Sequence, residues 1–246
     1  MDETALATYR RYWLPELVIV LLLMLLTTVV FWNSDLDLRM ARLFYDATNP
    51  EQSWPTGQNS LWQFLYDSAP TATGILVVGA LLVAIGASLS ERLRRLRIYA
   101  VFILAAVVVG PGLVVNSIFK DHWGRPRPRQ VIEFGGDLEY LPPLMKGQSG
   151  QGRSFPSGHS SVGFVFAAFW FIWRRRRLPW ALAALGFALT YGGLLGTARM
   201  VAGGHFLSDV LWSAYLTFLT SLLLYYFVLR IPQREQRAAD EMTTAT

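Results

Sequence analysis

The chain has no cysteine. That excludes disulfides, thiol nucleophiles and cysteine-ligated metals. Charge is also sparse. Only 16% of the 246 residues are Asp, Glu, Lys or Arg, where a soluble domain carries about a quarter. Histidine is scarcer still, at three in the whole chain. There is no carboxylate cluster and no histidine pair at zinc-type spacing. The expectation is therefore no bound metal and no cofactor.

What the chain does have is apolar residues, 53% of the total, gathered into long runs. The runs point to a membrane protein rather than to a large soluble core. The expected spans are about 14–31, 72–89, 98–119, 157–173, 180–197 and 207–229. The first is too long for a signal-peptide core, and Trp32-Asn33 is a poor cleavage site, so it is read as an uncleaved span. The third contains Gly110-Pro111-Gly112, which should kink or loosen it, and Asn116 near its end is placed to bond another helix. Between the first two spans, residues 35–46 mix apolar and charged side chains. Asp35 or Asp37 can cap a short helix there, with Leu36, Met40, Leu43 and Phe44 on one face. Such a helix lies either in the membrane interface or on an ordinary surface. The predicted fold is all-α: a six-transmembrane-helix bundle, one domain over 1–230, with a short interfacial helix. A polar cytoplasmic tail, 231–246, has no apolar face and is expected to be mobile.

Net charge is +5. The basic residues sit mainly at the ends of apolar runs, which argues against nucleic acid as a partner and for the lipid bilayer. Arg10, Arg11, Arg92 to Arg97, Arg174 to Arg177, Arg230, Arg234 and Arg237 fall on one side of a six-span bundle. That side is expected to be the cytoplasm, with both termini in it and the protein in the inner membrane of a bacterial cell. Lys120, Arg125, Arg127, Arg129, Lys146, Arg153 and Arg199 fall on the outer side, against the rule, and need another reason.

Three stretches on that outer side carry candidate chemistry. They are Lys120-Asp-His-Trp-Gly-Arg-Pro-Arg-Pro128, then Ser154-Phe-Pro-Ser-Gly-His159, then Arg199 to Asp209. Each has a plain reading: interfacial anchors, a helix start, a surface His and Asp. His122 is read as an interfacial or structural residue. Together the stretches suit phosphoryl transfer. Lys120, Arg127 and Arg199 can hold non-bridging oxygens. Ser157, Gly158 and His159 open a helix whose free N–H groups favour an anion. His205 and Asp209, four apart, share a helix face, so the carboxylate can fix the imidazole tautomer. His159 and His205, on opposite sides of the phosphate, can then share the roles of nucleophile and general acid, in either order.

These three motifs, in this order, resemble the type 2 phosphatidic acid phosphatase superfamily of membrane lipid phosphatases. The family pattern is Lys-x6-Arg-Pro, Pro-Ser-Gly-His, and Ser-Arg-x5-His-x3-Asp. It is met by Lys120 with Arg127-Pro128, by Pro156 to His159, and by Arg199, His205 and Asp209. The resemblance covers roughly residues 70–229. One departure is Ala198, where the family has the serine before its arginine. The resemblance implies a metal-independent hydrolase at the outer face. His205 would attack phosphorus, Asp209 would orient it, and His159 would protonate the leaving oxygen and then activate water. Lys120, Arg127, Ser157, Gly158 and Arg199 would stabilise the phosphoryl oxygens. The substrates it implies are phosphatidylglycerol phosphate, phosphatidic acid, polyprenyl diphosphate or lipid A phosphates. Two other readings remain. A phosphotransferase would share the architecture. A transporter with a basic mouth would place charges inside its spans, and these spans hold none at their centres. The soluble vanadium haloperoxidases of the same superfamily do not fit a six-span chain.

Overall fold

The computed structural model describes residues 3–244. Among them the architecture is helical throughout, with a single isolated bridge between Val131 and Leu138 and no strand. The helices are α1 (Glu3–Trp32), α2 (Leu36–Arg42), α3 (Ser60–Leu89), α4 (Arg97–Val107), α5 (Gly158–Phe164), α6 (Ala168–Trp173), α7 (Leu178–Met200), α8 (Leu207–Leu223) and α9 (Ile231–Thr244). α5 and α6 are joined through one tight turn, Val165–Ala167, into a single rod.

Five helical stretches are long and apolar enough to cross a membrane: Tyr9–Trp32, Ser60–Leu89, Arg94–Lys120, Leu178–Met200 and Leu207–Glu241. The expected fourth span is the shorter apolar helix Gly158–Trp173. At ~1.5 Å per residue it measures about 24 Å, less than the ~30 Å of a hydrocarbon core. Burial separates the long helices. The apolar windows of Arg94–Lys120 and Leu207–Glu241 are 44% buried, that of Tyr9–Trp32 only 11%. The former therefore form the centre, and α1 turns Leu22, Leu25 and Leu26 outward.

Glycine sets how closely the inner helices meet. A Cβ on Gly163 of α5 would lie 2.4 Å from the Gly192 Cα of α7. Such contacts let two backbones approach where lipid offers no hydrophobic drive for association. Below them an aromatic core of Phe102, Phe171 and Tyr225 joins α4, α6 and the end of the α8 stretch, with Phe102 and Tyr225 centroids 5.3 Å apart.

Three expectations change. α3 begins at Ser60 rather than near 72, because the Asn59 side chain accepts the Leu61 N–H at 2.9 Å and caps it there. Hydropathy marks only the part of a helix suited to lipid; the capped polar turns precede it. In the third span the Gly-Pro-Gly loosens the helix as expected, but the partner of Asn116 is not another helix. Val108–Lys120 continues with widened i→i+5 turns, and Asn116 Nδ2 bonds the Pro111 carbonyl at 2.6 Å, within its own helix. The tail is helical from Ile231 and docked. Ile231 is fully buried, the Tyr9 hydroxyl donates to the Pro232 carbonyl at 3.2 Å, and Glu235 accepts from Tyr99 and from Arg175. Burial of Ile231 in the core anchors its start, and polar contacts hold the turns that follow.

Candidate active site

The site forms where the ends of four helical stretches converge. Lys120 ends the third span, and Gly158 opens α5. Arg199 lies in the last turn of α7, and Asp209 in the first turn of α8. The widened turns of Val108–Lys120 bring Asn116 and Lys120 against Gly158. A Cβ on Gly158 would lie 2.6 Å from Asn116 Oδ1 and 3.0 Å from Lys120 Nζ.

The loop from Val201 to Phe206 carries His205. Gly203 has φ +62°, and a Cβ there would strike the Trp54 ring at 2.5 Å. Only glycine suits both demands. Trp54, Phe134 and Tyr45 stack behind the loop. The Arg129 N–H donates to the Gly203 carbonyl at 3.2 Å, tying the Arg127 loop to the His205 loop. The Arg199 guanidinium lies over Gly204, where a Cβ would come within 2.6 Å of Nη2.

His205 is 2% exposed. Burial drives its pKa down to about 4; the Asp209 carboxylate opposes the shift, and the Lys120 and Arg199 charges add to it. The imidazole is thus neutral at physiological pH, the form that can attack. His205 Nδ1 and Asp209 Oδ2 are 3.6 Å apart, and Nδ1 has no hydrogen-bond partner. The expected imidazole–carboxylate bond is therefore not closed. The carboxylate is already occupied. Asp209 Oδ2 accepts from the Ser154 hydroxyl at 2.5 Å and the Phe206 N–H at 2.8 Å, while Oδ1 accepts from Arg125.

His159 lies within electrostatic reach of Lys120, Arg199 and His205. Its ring stacks on Tyr66, centroids 4.4 Å apart, and the Arg199 guanidinium lies 4.7 Å from the same Tyr66 ring. Ser157 is fastened to α8: its N–H donates to the Asp209 carbonyl at 3.1 Å, and its carbonyl accepts from the Ser213 hydroxyl at 2.6 Å. The Ser160 hydroxyl donates to the Ser157 hydroxyl at 2.8 Å, which leaves the Ser157 proton to be given elsewhere. Arg127 is half-buried, and its pKa is lowered by that burial and by Arg129 and Arg153. The Nε atoms of Arg127 and Arg199 are buried without a protein partner. All eight candidate residues thus gather at one end of the helices. His122 does not join them; it is exposed, with Nδ1 at 2.9 Å from the Ser117 carbonyl.

Sequence reasoning missed the layer behind the site. Arg125 is fully buried and donates to Asp209, to Asp37 Oδ2 at 2.8 Å, to the Ser208 hydroxyl at 2.8 Å and to the Leu141 carbonyl at 2.8 Å. Two carboxylates outweigh its burial and hold its pKa above the usual arginine range. Asp37 is no helix cap. It is buried and accepts from Arg125, from Tyr140 and from the N–H and hydroxyl of Ser208. Asp35 holds the cap position and bonds Arg39 instead. Met40 and Phe44 of the α2 region pack toward Val210, while Leu43 is 70% exposed. The signal for Arg125 was its place among basic residues that fall against the positive-inside rule; nothing local paired it with Asp37. Hydropathy gives no sign of Tyr66, which lies in the capped turns of α3 ahead of its apolar run.

A family model described as the PAP2 superfamily matches residues 95–232. The chain is 34% identical over 201 residues to the lipid A 4'-phosphatase of Francisella tularensis subsp. novicida, covering 80% of this chain and 87% of that protein. It is 35% identical over 149 residues to the lipid A 4'-phosphatase of Rhizobium etli, 60% of this chain and 53% of that one. The lipid A 4'-phosphatase of Rhizobium leguminosarum is 34% identical over 149 residues, 60% of this chain and 59% of that one. The chain thus spans little more than half the length of the rhizobial proteins. No solved structure matches it.

Proposed function

The chain belongs to the PAP2 superfamily, and from that membership we propose its function: it removes the 4'-phosphate of lipid A. The coarser statement is plain. It is an integral membrane enzyme that hydrolyses a lipid phosphate. The choice of lipid A follows its relatives' activity, above all that of the Francisella protein, with which it shares most of its length.

The observation that carries the mechanism is a buried, neutral His205 facing Lys120 and Arg199, beside arginines whose Nε donors have no protein partner. The His205 Nε2 lone pair attacks phosphorus. The bond from phosphorus to the sugar oxygen breaks, and a protonated His159 gives its proton to that oxygen. Water then attacks the phosphohistidine while His159 takes its proton, and the P–N bond breaks to release phosphate. Lys120, Arg127, Arg199, the Ser157 hydroxyl and the Gly158 N–H stabilise the equatorial oxygens, each such donor contributing about 10²–10³ in rate. Asp209 orients His205; the 3.6 Å gap closes as positive charge develops on the imidazole.

The bundle crosses the membrane six times. Gly158–Trp173 is the short sixth crossing, its deficit taken up by local thinning of the bilayer. Both termini lie in the cytoplasm, the site at the outer face, and α2 in the outer interface. The positive-inside distribution supports this orientation.

The test is purified protein offered lipid A phosphate, phosphatidic acid, phosphatidylglycerol phosphate and a polyprenyl diphosphate, with free phosphate and lipid products both measured. Lipid A should lose its 4'-phosphate with stoichiometric free phosphate, and His205→Ala should abolish both this and any acid-labile phosphoenzyme. Loss of lipid phosphate without free phosphate would make it a phosphotransferase. Preference for another lipid would overturn the substrate assignment but not the chemistry.

A further inference from the structure

The end of the bundle away from the site holds two cavities that share residues. One, of about 420 Å³, is an apolar groove between α3, α4 and α6, walled by Leu76, Val83, Ile103 and Phe169. The other, of about 460 Å³, is lined by Arg92, Arg94, Arg95, Arg176 and Arg234, with Glu235 the one acid. Leu96 and Tyr99 line both, so the basic mouth leads into the apolar groove. This end lies across the membrane from Lys120, because Arg94–Lys120 is one continuous helical stretch of 27 residues, about 40 Å long.

Basic residues at a membrane boundary are ordinary, and so is apolar surface in lipid. Their union in one amphipathic recess is not. Glu235 is already engaged by Tyr99, Arg175 and Arg176, Arg94 pairs at 3.3 Å with Glu91, and Arg95 has partners of its own. The lining therefore keeps a strong positive excess, carried by Arg92 and Arg234. The groove is kept open partly by Gly79, where an added Cβ would meet nothing within 4 Å.

We infer that this recess binds one anionic glycerophospholipid of the adjacent leaflet, with its phosphate among Arg92, Arg176 and Arg234 and one acyl chain in the groove below Tyr99. Basic pockets between spans that open to apolar grooves favour anionic headgroups over zwitterionic ones. The site is separate from catalysis and does not depend on the substrate assigned above.

The experiment is native mass spectrometry of the full chain carrying His205→Ala, released from detergent with phosphatidylglycerol or phosphatidylcholine of identical acyl chains. Glycerol phosphate serves as a headgroup-only arm. One phosphatidylglycerol should be retained well above phosphatidylcholine, and glycerol phosphate should not be retained. Arg92→Gln with Arg234→Gln should weaken retention about thirtyfold, from ~1 kcal/mol for each arginine. Gly79→Phe should fill the groove and weaken it as well, while favouring the helix it sits in. Thermal midpoints of the lipid-free variants establish that they fold. Equal retention of both lipids, or retention untouched by either change in folded protein, would overturn the assignment.

Discussion

Arg125 and Arg127 stand two positions apart in one loop, in opposite surroundings. Arg125 is fully buried, held between Asp37 and Asp209, with further bonds to Ser208 and a carbonyl. Arg127 is half-exposed, its neighbours Arg129 and Arg153 are also positive, and its Nε has no protein partner. The same residue type is thus fully paired with protein groups in one place and left with an unpartnered donor in the other. Burial and carboxylates both distinguish them: Arg125 is enclosed with two carboxylates, and Arg127 is partly open beside other cations. The far end of the bundle repeats the paired arrangement, with Arg174 paired to Glu16 and Arg175 to Glu235. Around Arg127, by contrast, the neighbouring charges are positive and no carboxylate offsets them.

The sharpest way to break this comparison is to truncate both arginines in turn. Arg127→Ala should lower turnover by about 10²–10³-fold, as for one lost transition-state donor, with stability changed by no more than ~0.5 kcal/mol. Arg125→Ala should cost about 3–5 kcal/mol of stability, since it strands two buried carboxylates. Thermal unfolding in detergent read beside turnover separates the two. A stable Arg125→Ala protein, or an unfolded Arg127→Ala one, would reverse the roles.

Gly158→Ala comes next. Its methyl group would push Asn116 Oδ1 and Lys120 Nζ, both ends of side chains, without meeting backbone. Turnover should fall about 10²-fold through displacement of Lys120 by a fraction of an ångström or more, while the unfolding midpoint stays near that of the parent. A midpoint that collapses with activity would make Gly158 a packing residue only.

A milder probe is pH. His205 has its pKa lowered to about 4, and only the neutral ring has a lone pair for phosphorus. Single-turnover phosphoenzyme formation should fall as pH drops through about 4, where His205 becomes protonated, and should fall again on the alkaline side as His159 loses the proton it donates. Lys120→Met removes a positive neighbour that lowers the His205 pKa, so the acid limb should move upward while the ceiling drops. An acid limb that stays in place in that variant would separate Lys120 from the histidine.

The smallest effect is expected at Ala198, which is buried where the family carries serine. Ala198→Ser should add one phosphate donor and a modest gain in kcat/KM, equivalent to roughly 0.5–1.5 kcal/mol. A clear loss would mean that the surroundings have closed on the smaller side chain.

Much of this was legible in one dimension. Apolar runs located the long helices, because a span must satisfy every backbone group within itself and so leaves a continuous hydrophobic record. The candidate residues were legible for a related reason: Lys120 with Arg127, Pro156 to His159, and Arg199 to Asp209 are local clusters with fixed spacing. Their convergence at one end follows from counting crossings. Tertiary structure alone decided the rest. Asp37 and Arg125 are 88 residues apart, and an ion pair at that separation leaves no periodicity or spacing to read. The cap at Asn59 moved Tyr66 onto a helix and against His159, a contact that depends on where α3 and α5 pack. The docked tail depends on Tyr9, Tyr99 and Arg175, side chains from three distant segments. Sequence records what each segment needs from water and lipid; which buried charge meets which is a property of the packed bundle.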